Sequence, residues 1–423
     1  MSLWRHEARL LLRSRLAAFA LILLAVLSTA AVVAGMAEVA RQRAAIAHIA
    51  PAQVEDIGAI AAWVDASKDA GSAAYYSFHP TWDAPSALAF AALGMRDVAP
   101  YILRVRALGL EAQIYDGDTF NPELALPGRF DFAFVLVFLS PLFAIALFHD
   151  LRSGEREAGR ARMLDALPGA GRLWLRRGLL RFALLLVALG LPFLAGAMLS
   201  GAGMGATMII LAIAALYLLF WIGVAGLVSQ LNRSSVANAA TLAALWLMLV
   251  LVVPTLANIV INRAIPVDQG AEIALAQRER VNSAWEIPRE DTMRRFYAAH
   301  PEWADSPPLP PTFHYKWYLA FHQVGDESVA NRVRDYRAGL ERRADAANAL
   351  GWALPSVGVQ ALLTRLAQTD LAAQLAYQDR VRDFHRRLRN FYYTYLFRDR
   401  PFARADFAKA PRFEEELIDA GTD

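Results

Sequence analysis

The chain has 423 residues, of which 56% are hydrophobic and only 20% charged, and that balance is too apolar for an average soluble domain. Its formal net charge of +3 is mild and carries no signature of nucleic-acid binding. It contains no Cys, which excludes disulfides, cysteine-ligated zinc, iron–sulfur clusters and cysteine nucleophiles.

In chain order, residues 1–15 read as an amphipathic interfacial helix. Arg5, Arg9 and Arg13 fall on one face, and Trp4, Ala8, Leu11 and Leu12 on another. Residues 16–39 are apolar until Glu38 and long enough to cross a bilayer core of about 30 Å. Residues 40–129 contain no spanning run. There the pattern predicts a helix over 54–66 and one or two helices over 86–107, interrupted at Gly94 and Pro100. A second span is predicted over 130–148, a third over 182–198, a fourth over 204–228 and a fifth over 236–261. Pro141, Pro192 and Pro254 fall inside these apolar helices and predict kinks. Residues 262–423 are charge-balanced, with helices expected over 271–285, 319–350 and 371–396.

The loop at 149–181 separates the second and third spans. Eight arginines against four acids make it the strongest topological signal in the chain, because short basic loops stay in the cytoplasm. That sets the N-terminus inside and the segments 40–129 and 262–423 outside. Both outer segments emerge from one face and are expected to pack on each other. Within the loop, Ser153 to Glu157 is helix-compatible and Gly159 breaks it. Met163, Leu164 and Leu167 then form a short apolar stripe ended by Pro168 and Gly169.

Glu155-Arg156-Glu157-Ala158-Gly159, followed by Met163-Leu164 and Leu167-Pro168, resembles the coupling loop of ABC-transporter permeases of the exporter-like, type-two superfamily. Asn121-Pro122, Gly128 to Val135, Pro141-Leu142, Trp246-Leu247 with Pro254, His300-Pro301-Glu302 and Phe384-His385 extend the likeness to one subgroup. That subgroup carries a large extracytoplasmic insert of unassigned function. Arg160 departs from the pattern, which more often has Thr after the glycine. The subgroup usually has one more span after its second outer segment, whereas the stretch after Asp370 here is too charged to cross a membrane.

The apolar runs and helical patterns predict an all-α membrane protein with five transmembrane helices and a largely helical extracytoplasmic domain built from two segments. The resemblance implies a bacterial inner-membrane permease with its outer domain in the periplasm. The ATPase would be a separate ATP-binding cassette subunit that carries the ATP and Mg. A second permease copy or a paralogous permease would complete the machine, with membrane lipid around it. Glu155, Glu157, Gly159, Met163, Leu164 and Leu167 are the candidate coupling residues. The alternative is a membrane-anchored outer binding or assembly module that transports nothing.

No catalytic set is expected, and no phosphate-binding GxxxxGK[ST] motif occurs. His300, His314 and His322 lack metal-motif spacing, so no metal or other cofactor is expected on this chain. Trp285, Phe313, Tyr315, Trp317, Tyr318 and Phe321 cluster in sequence as either packing or ligand-facing aromatics. Phe391, Tyr392, Tyr393 and Tyr395 form a second such group.

Overall fold

The computed structural model describes residues 3–115, 129–166, 169–231, 233–268 and 270–413, without the side chains of 65–67. A short helix α1 (Leu3–Arg13) turns at Ser14 into α2 (Arg15–Ser67), whose 53 residues run without a break. Among the described residues, five helical stretches are long and apolar enough to cross a membrane. They lie in α2; in α5 (Phe132–Phe134) with α6 (Ser140–Phe148); in α9 (Ala170–Ser200); in α10 (Met204–Ser229); and in α11 (Ser235–Trp246) with α12 (Val253–Ala264). Each contains the core of one expected span.

The expected helix at 54–66 is not separate. Residues 40–50 are rich in alanine and other helix formers, so α2 continues as a stalk. At about 1.5 Å per residue its length is about 80 Å, more than twice a bilayer core. Pro51 sits inside it and leaves the carbonyl of the exposed Ala47 to water. Lys68, in the left-handed region at φ 51°, ends it.

The chain is not all-α. After α3 (Ala70–Tyr76), β1 (His79–Trp82) pairs antiparallel with β2 (Ile102–Val105), His79 opposite Val105. The helices expected over 86–107 do not form, apart from a 3₁₀ turn at Gly94–Asp97. Residues 88–93 instead enter the top of the helix bundle as irregular, buried backbone. Such backbone survives only where each polar group finds a partner. Ala91 O accepts from Ala133 N at 2.8 Å, Ala92 O from Thr369 Oγ1 at 2.8 Å, and Leu93 N donates to Asp131 Oδ2 at 2.9 Å. Gly35 of α2 makes the crossing possible, since a Cβ there would lie 2.1 Å from Phe90 O. The apolar pattern of 86–93 is therefore a burial signal and not a helical one.

The short α4 (Glu111–Tyr115) follows β2. The loop between the second and third spans carries α7 (Ser153–Glu157) and α8 (Ala161–Asp165). Beyond the spans come α13 (Gly270–Ser283), α14 (Arg289–Ala299), α15 (Tyr315–Leu350), α16 (Pro355–Leu366) and α17 (Leu371–Leu396). Neither α14 nor α16 is expected from the sequence; their charged or short patterns hide them.

Among the described residues, two apolar cores result. The bundle core joins Leu24 and Val32 of α2 to Phe132, Phe193, Tyr217, Trp221 and Leu242. Phe132 stacks on Phe193 with centroids 4.7 Å apart. The second core joins the two non-spanning segments into one globular module: Val64, Val105 and Tyr115 from the first, and Phe296, Trp317, Tyr377, Tyr392 and Phe397 from the second. The helix α2 feeds both cores. So does the second non-spanning segment, because Val359 and Leu363 of α16 belong to the bundle core.

The three prolines behave differently. Pro192 sits within a continuous α9, beside a carbonyl of Leu189 that accepts from Ser28 Oγ at 2.9 Å. Pro141 and Pro254 each follow a π-helical stretch, Val135–Leu139 and Leu247–Val252. A wider turn relieves the clash between the proline ring and the preceding turn, but it leaves carbonyls without backbone donors.

Candidate functional site

The loop at 149–181 is not a free strap. Glu155 binds Arg160 Nε at 2.7 Å and Arg177 Nη1 at 2.9 Å. Arg177, on the first turns of α9, also binds Glu7 of α1 at 3.0 Å. One guanidinium thus joins the terminal helix, the loop and the third span. Arg176 adds a longer contact to Glu7 at 3.5 Å. The Trp174 ring is buried beneath Arg152 and Arg177, each 5.4 Å from its centroid, and its Nε1 donates to Asp165 of α8 at 3.0 Å. These groups are half-buried, where paired charges screen less than on an open surface.

Glu157 reaches the turn between the fourth and fifth spans. Its carboxylate accepts from Ser235 N at 2.6 Å and from Ser235 Oγ at 3.1 Å. That places a negative charge on the first free amides of α11, which the helix dipole favours. Ser153 Oγ lies 2.8 Å from Ser235 Oγ, and Asn238 Nδ2 donates to His149 O at 3.3 Å. Both acids of the sequence motif are therefore engaged by the chain's own residues.

Gly159, at φ 72°, turns the backbone between α7 and α8, a conformation other residues adopt at a cost. The structure places Met163 on the exposed side of α8, 63% accessible, with Leu164 half-buried beside it. Leu167 and Pro168 lie outside the described residues. The loop thus displays one short apolar helix on a braced base. A cleft of about 340 Å³ lies next to it, lined by Glu7, Leu11, Asp150, Glu155, Arg177 and Arg181.

The aromatic candidates divide. Trp317 and Phe321 are each 2% exposed and belong to the core of the globular module. Trp285 and Phe313 stand outside it, stacked at 12° with centroids 6.4 Å apart. Tyr315 and Tyr318 are half-buried between them. In the second group Tyr392 and Tyr393 are core residues. The three histidines sit in different surroundings. His300 bonds Glu327 at 2.7 Å, His314 caps α15 through Lys316 N at 3.1 Å, and His322 lies under α13.

A model described as a domain of unknown function, DUF3526, matches residues 271–416. No curated protein and no solved structure matches the chain. The matched stretch covers about a third of the chain and falls on α13 to α17, the larger share of the globular module. It leaves the loop at 149–181 outside.

Several residues that organise the site carry weak signals in the sequence. Glu7 is the lone acid in the first fifteen residues, which marks it as a partner for a basic loop. Ser235 and Arg177 carry no such mark, because their roles depend on which loops meet.

Proposed function

We propose that this chain is the permease subunit of an ATP-driven transporter in a bacterial inner membrane. In this reading the loop at 149–181 faces the cytoplasm and the globular module faces the periplasm. A separate ATP-binding cassette subunit binds ATP and Mg and docks on α7 and α8. A second permease, identical or paralogous, completes the pathway. The observation that carries the reading is the bracing of the loop: Arg177 links Glu7 and Glu155, and Glu157 links Ser235. A push on α8 would reach the first, third and fifth spans together through these bonds. The acids supply the brace, and Met163 with Leu164 supplies the docking face.

Leu164→Asp tests the docking face. A carboxylate pressed into an apolar groove without a partner costs several kcal/mol. Insertion is expected to survive, while co-purification of the ATPase and transport are lost. An intact, active complex would reduce the loop to a topological anchor. Orientation is tested separately. Cysteines at the exposed positions Ser328 and Ala158 suit an impermeant thiol reagent, whereas Ser153 is buried against Ser235. Labelling at 328 and protection at 158 in intact cells is the expected pattern; the reverse overturns it.

The second reading is a membrane-anchored outer binding or assembly module that moves nothing; the matched family, of unknown function, falls on α13–α17 and not on the loop. Failure of any nucleotide-binding subunit to co-purify with the wild-type chain would select it.

A further inference from the structure

The two halves of the globular module meet at a cleft of about 200 Å³, bounded by the turn after β2, α4, α13 and α15. Its walls carry Arg106, Leu108, Gln113, Gln277, Arg278 and His322, and among the described residues no carboxylate lines it. The turn is held in place from both sides. Gln113 Oε1 accepts from Arg106 N at 2.9 Å, and Gln113 Nε2 donates to Gly109 O at 2.7 Å. Gly109 lets α13 approach, since a Cβ there would lie 2.1 Å from Gln277 Nε2.

Among the described residues, two groups of this lining have buried polar atoms without a partner: both ring nitrogens of His322, and Nε of Arg106. Buried polar atoms in native folds are almost always paired, so a cluster of unpaired ones around a cavity marks where a ligand's polar atoms belong. The Arg106 guanidinium rests on the rings of Tyr75 and Phe78, 5.4 and 5.0 Å from their centroids. Its Nη1 donates to Tyr75 O at 3.5 Å, and among the described residues no carboxylate pairs with it. Asp326, which accepts from Gln277 Nε2 at 3.2 Å, is held by Arg389 Nη2 at 2.8 Å and Leu110 N at 2.8 Å. His322 is neutral, since burial, aided by Arg389 and Arg106, pushes its pKa down to about 3. A neutral imidazole beside an uncompensated guanidinium offers N–H donors to an anion. Leu108, Ala112 and Val281 form the apolar remainder of the wall.

We propose that this cleft binds a small carboxylate-bearing molecule, its carboxylate held by Arg106 and His322 and its short apolar part against Leu108, Ala112 and Val281. Charge-assisted bonds from guanidinium to carboxylate are the stronger kind, and a hydrophobic wall distinguishes an organic acid from inorganic phosphate. The site is independent of the transport reading, because it requires only that the two non-spanning segments dock.

The test is a ligand-observed NMR titration of the full chain in detergent with butyrate, butyramide and inorganic phosphate. Saturable butyrate binding is expected, with butyramide and phosphate at least tenfold weaker. Arg106→Gln and His322→Phe are each expected to weaken butyrate at least tenfold. Asn282→Asp places a negative charge on the exposed rim without touching the core and is expected to weaken it about fivefold. Absence of saturable butyrate binding overturns the proposal. So does equal binding of butyramide or phosphate, or unchanged binding in Asn282→Asp or in an Arg106→Gln variant that melts as the wild type does.

Discussion

The second and fifth spans carry the same device, and it is sealed by different parts of the molecule. In each, a π-helical stretch precedes a proline that cannot donate to the turn before it. In the second span, Ser140 Oγ closes on Leu136 O at 2.7 Å from the same helix. Tyr217 Oη of the fourth span donates to Val137 O at 2.9 Å, and Trp246 Nε1 of the fifth donates to Phe138 O at 3.1 Å. In the fifth span, the carbonyl that Pro254 would serve in π register is Leu249 O. It accepts from Ser356 Oγ of α16 at 3.0 Å. The π stretch of the second span is closed within the bundle; that of the fifth is closed by the globular module. Burial follows the same division: 61% of the apolar stretch of the second span is buried within the chain, against 6% of the fifth. A peripheral helix tied to the module suits a moving part, and a central one locked by neighbours suits a fixed part.

The widest break in this comparison is expected from unfolding the module itself. Trp317 is 2% exposed, packed edge-on against Phe321 with centroids 4.9 Å apart. Trp317→Ala is expected to cost about 3–5 kcal/mol. Arg343 of α15 caps the end of α12 through Ile265 O at 2.8 Å, so the damage should travel. Hydrogen exchange should rise in the module and in α12, and stay low in α6. Equal loss of protection in α6 would remove the distinction.

Acid separates the two regions next. His79 is fully buried, and burial lowers its pKa to about 4; His322 and His385 are lowered for the same first reason. An unfolded histidine titrates near 6.5, so below that pH the unfolded chain binds protons that the folded module refuses. Stability contributed by His79 is thus present above about pH 6.5 and lost as pH falls toward 4. The loss runs at about 1.4 kcal/mol per pH unit. His300 acts at the other end. Its bond to Glu327 raises its pKa against burial, and its contribution is lost as pH rises through the folded value. Urea unfolding followed by tryptophan fluorescence from pH 7 to 5 should show a shallower slope in His79→Phe. An identical slope would mean His79 titrates as in the unfolded chain.

Inside the bundle, Tyr217→Phe removes the donor to Val137 O and leaves a carbonyl unpaired in apolar surroundings. The expected cost is about 1–2 kcal/mol. Protection should fall around the second span and leave α12 unchanged, the inverse of Trp317→Ala.

The sequence made the spans legible because a membrane core imposes length and polarity on each of them alone. It made α17 legible to the residue, 371–396, since that helix keeps one apolar face throughout. It did not make legible the things that depend on two distant pieces meeting. The buried turns at 88–93 read as helix because their apolar residues face a bundle supplied by other segments. The π stretches read only as proline kinks, because their partners Tyr217, Trp246 and Ser356 lie 80 to 108 positions away. Glu155 and Glu157 read as acids for a partner chain, while the structure gives them Arg177 and Ser235. The cleft around His322 had no signal, since it forms only where α4 meets α13.

The smallest expected effect is the most discriminating. Ser356→Ala removes one hydroxyl from Leu249 O, and such bonds within apolar helix bundles average about 0.6 kcal/mol. That alone is hard to read against other small changes, so the measurement is a double-mutant cycle with Pro254→Ala. The alanine restores the N–H that proline lacks, and the helix then serves its own carbonyl. If Ser356 acts by closing the π stretch, its removal should cost about 0.6 kcal/mol beside Pro254 and nothing in the Pro254→Ala background, so the two changes couple. The corresponding cycle of Ser356→Ala with Pro141→Ala should be additive, because Pro141 is served by Ser140 and Tyr217. Coupling to Pro141 as strong as to Pro254 would mean that α16 loosens the whole bundle. Additivity with both would mean that the contact between α16 and the fifth span is packing and not a link between the module and the π stretch.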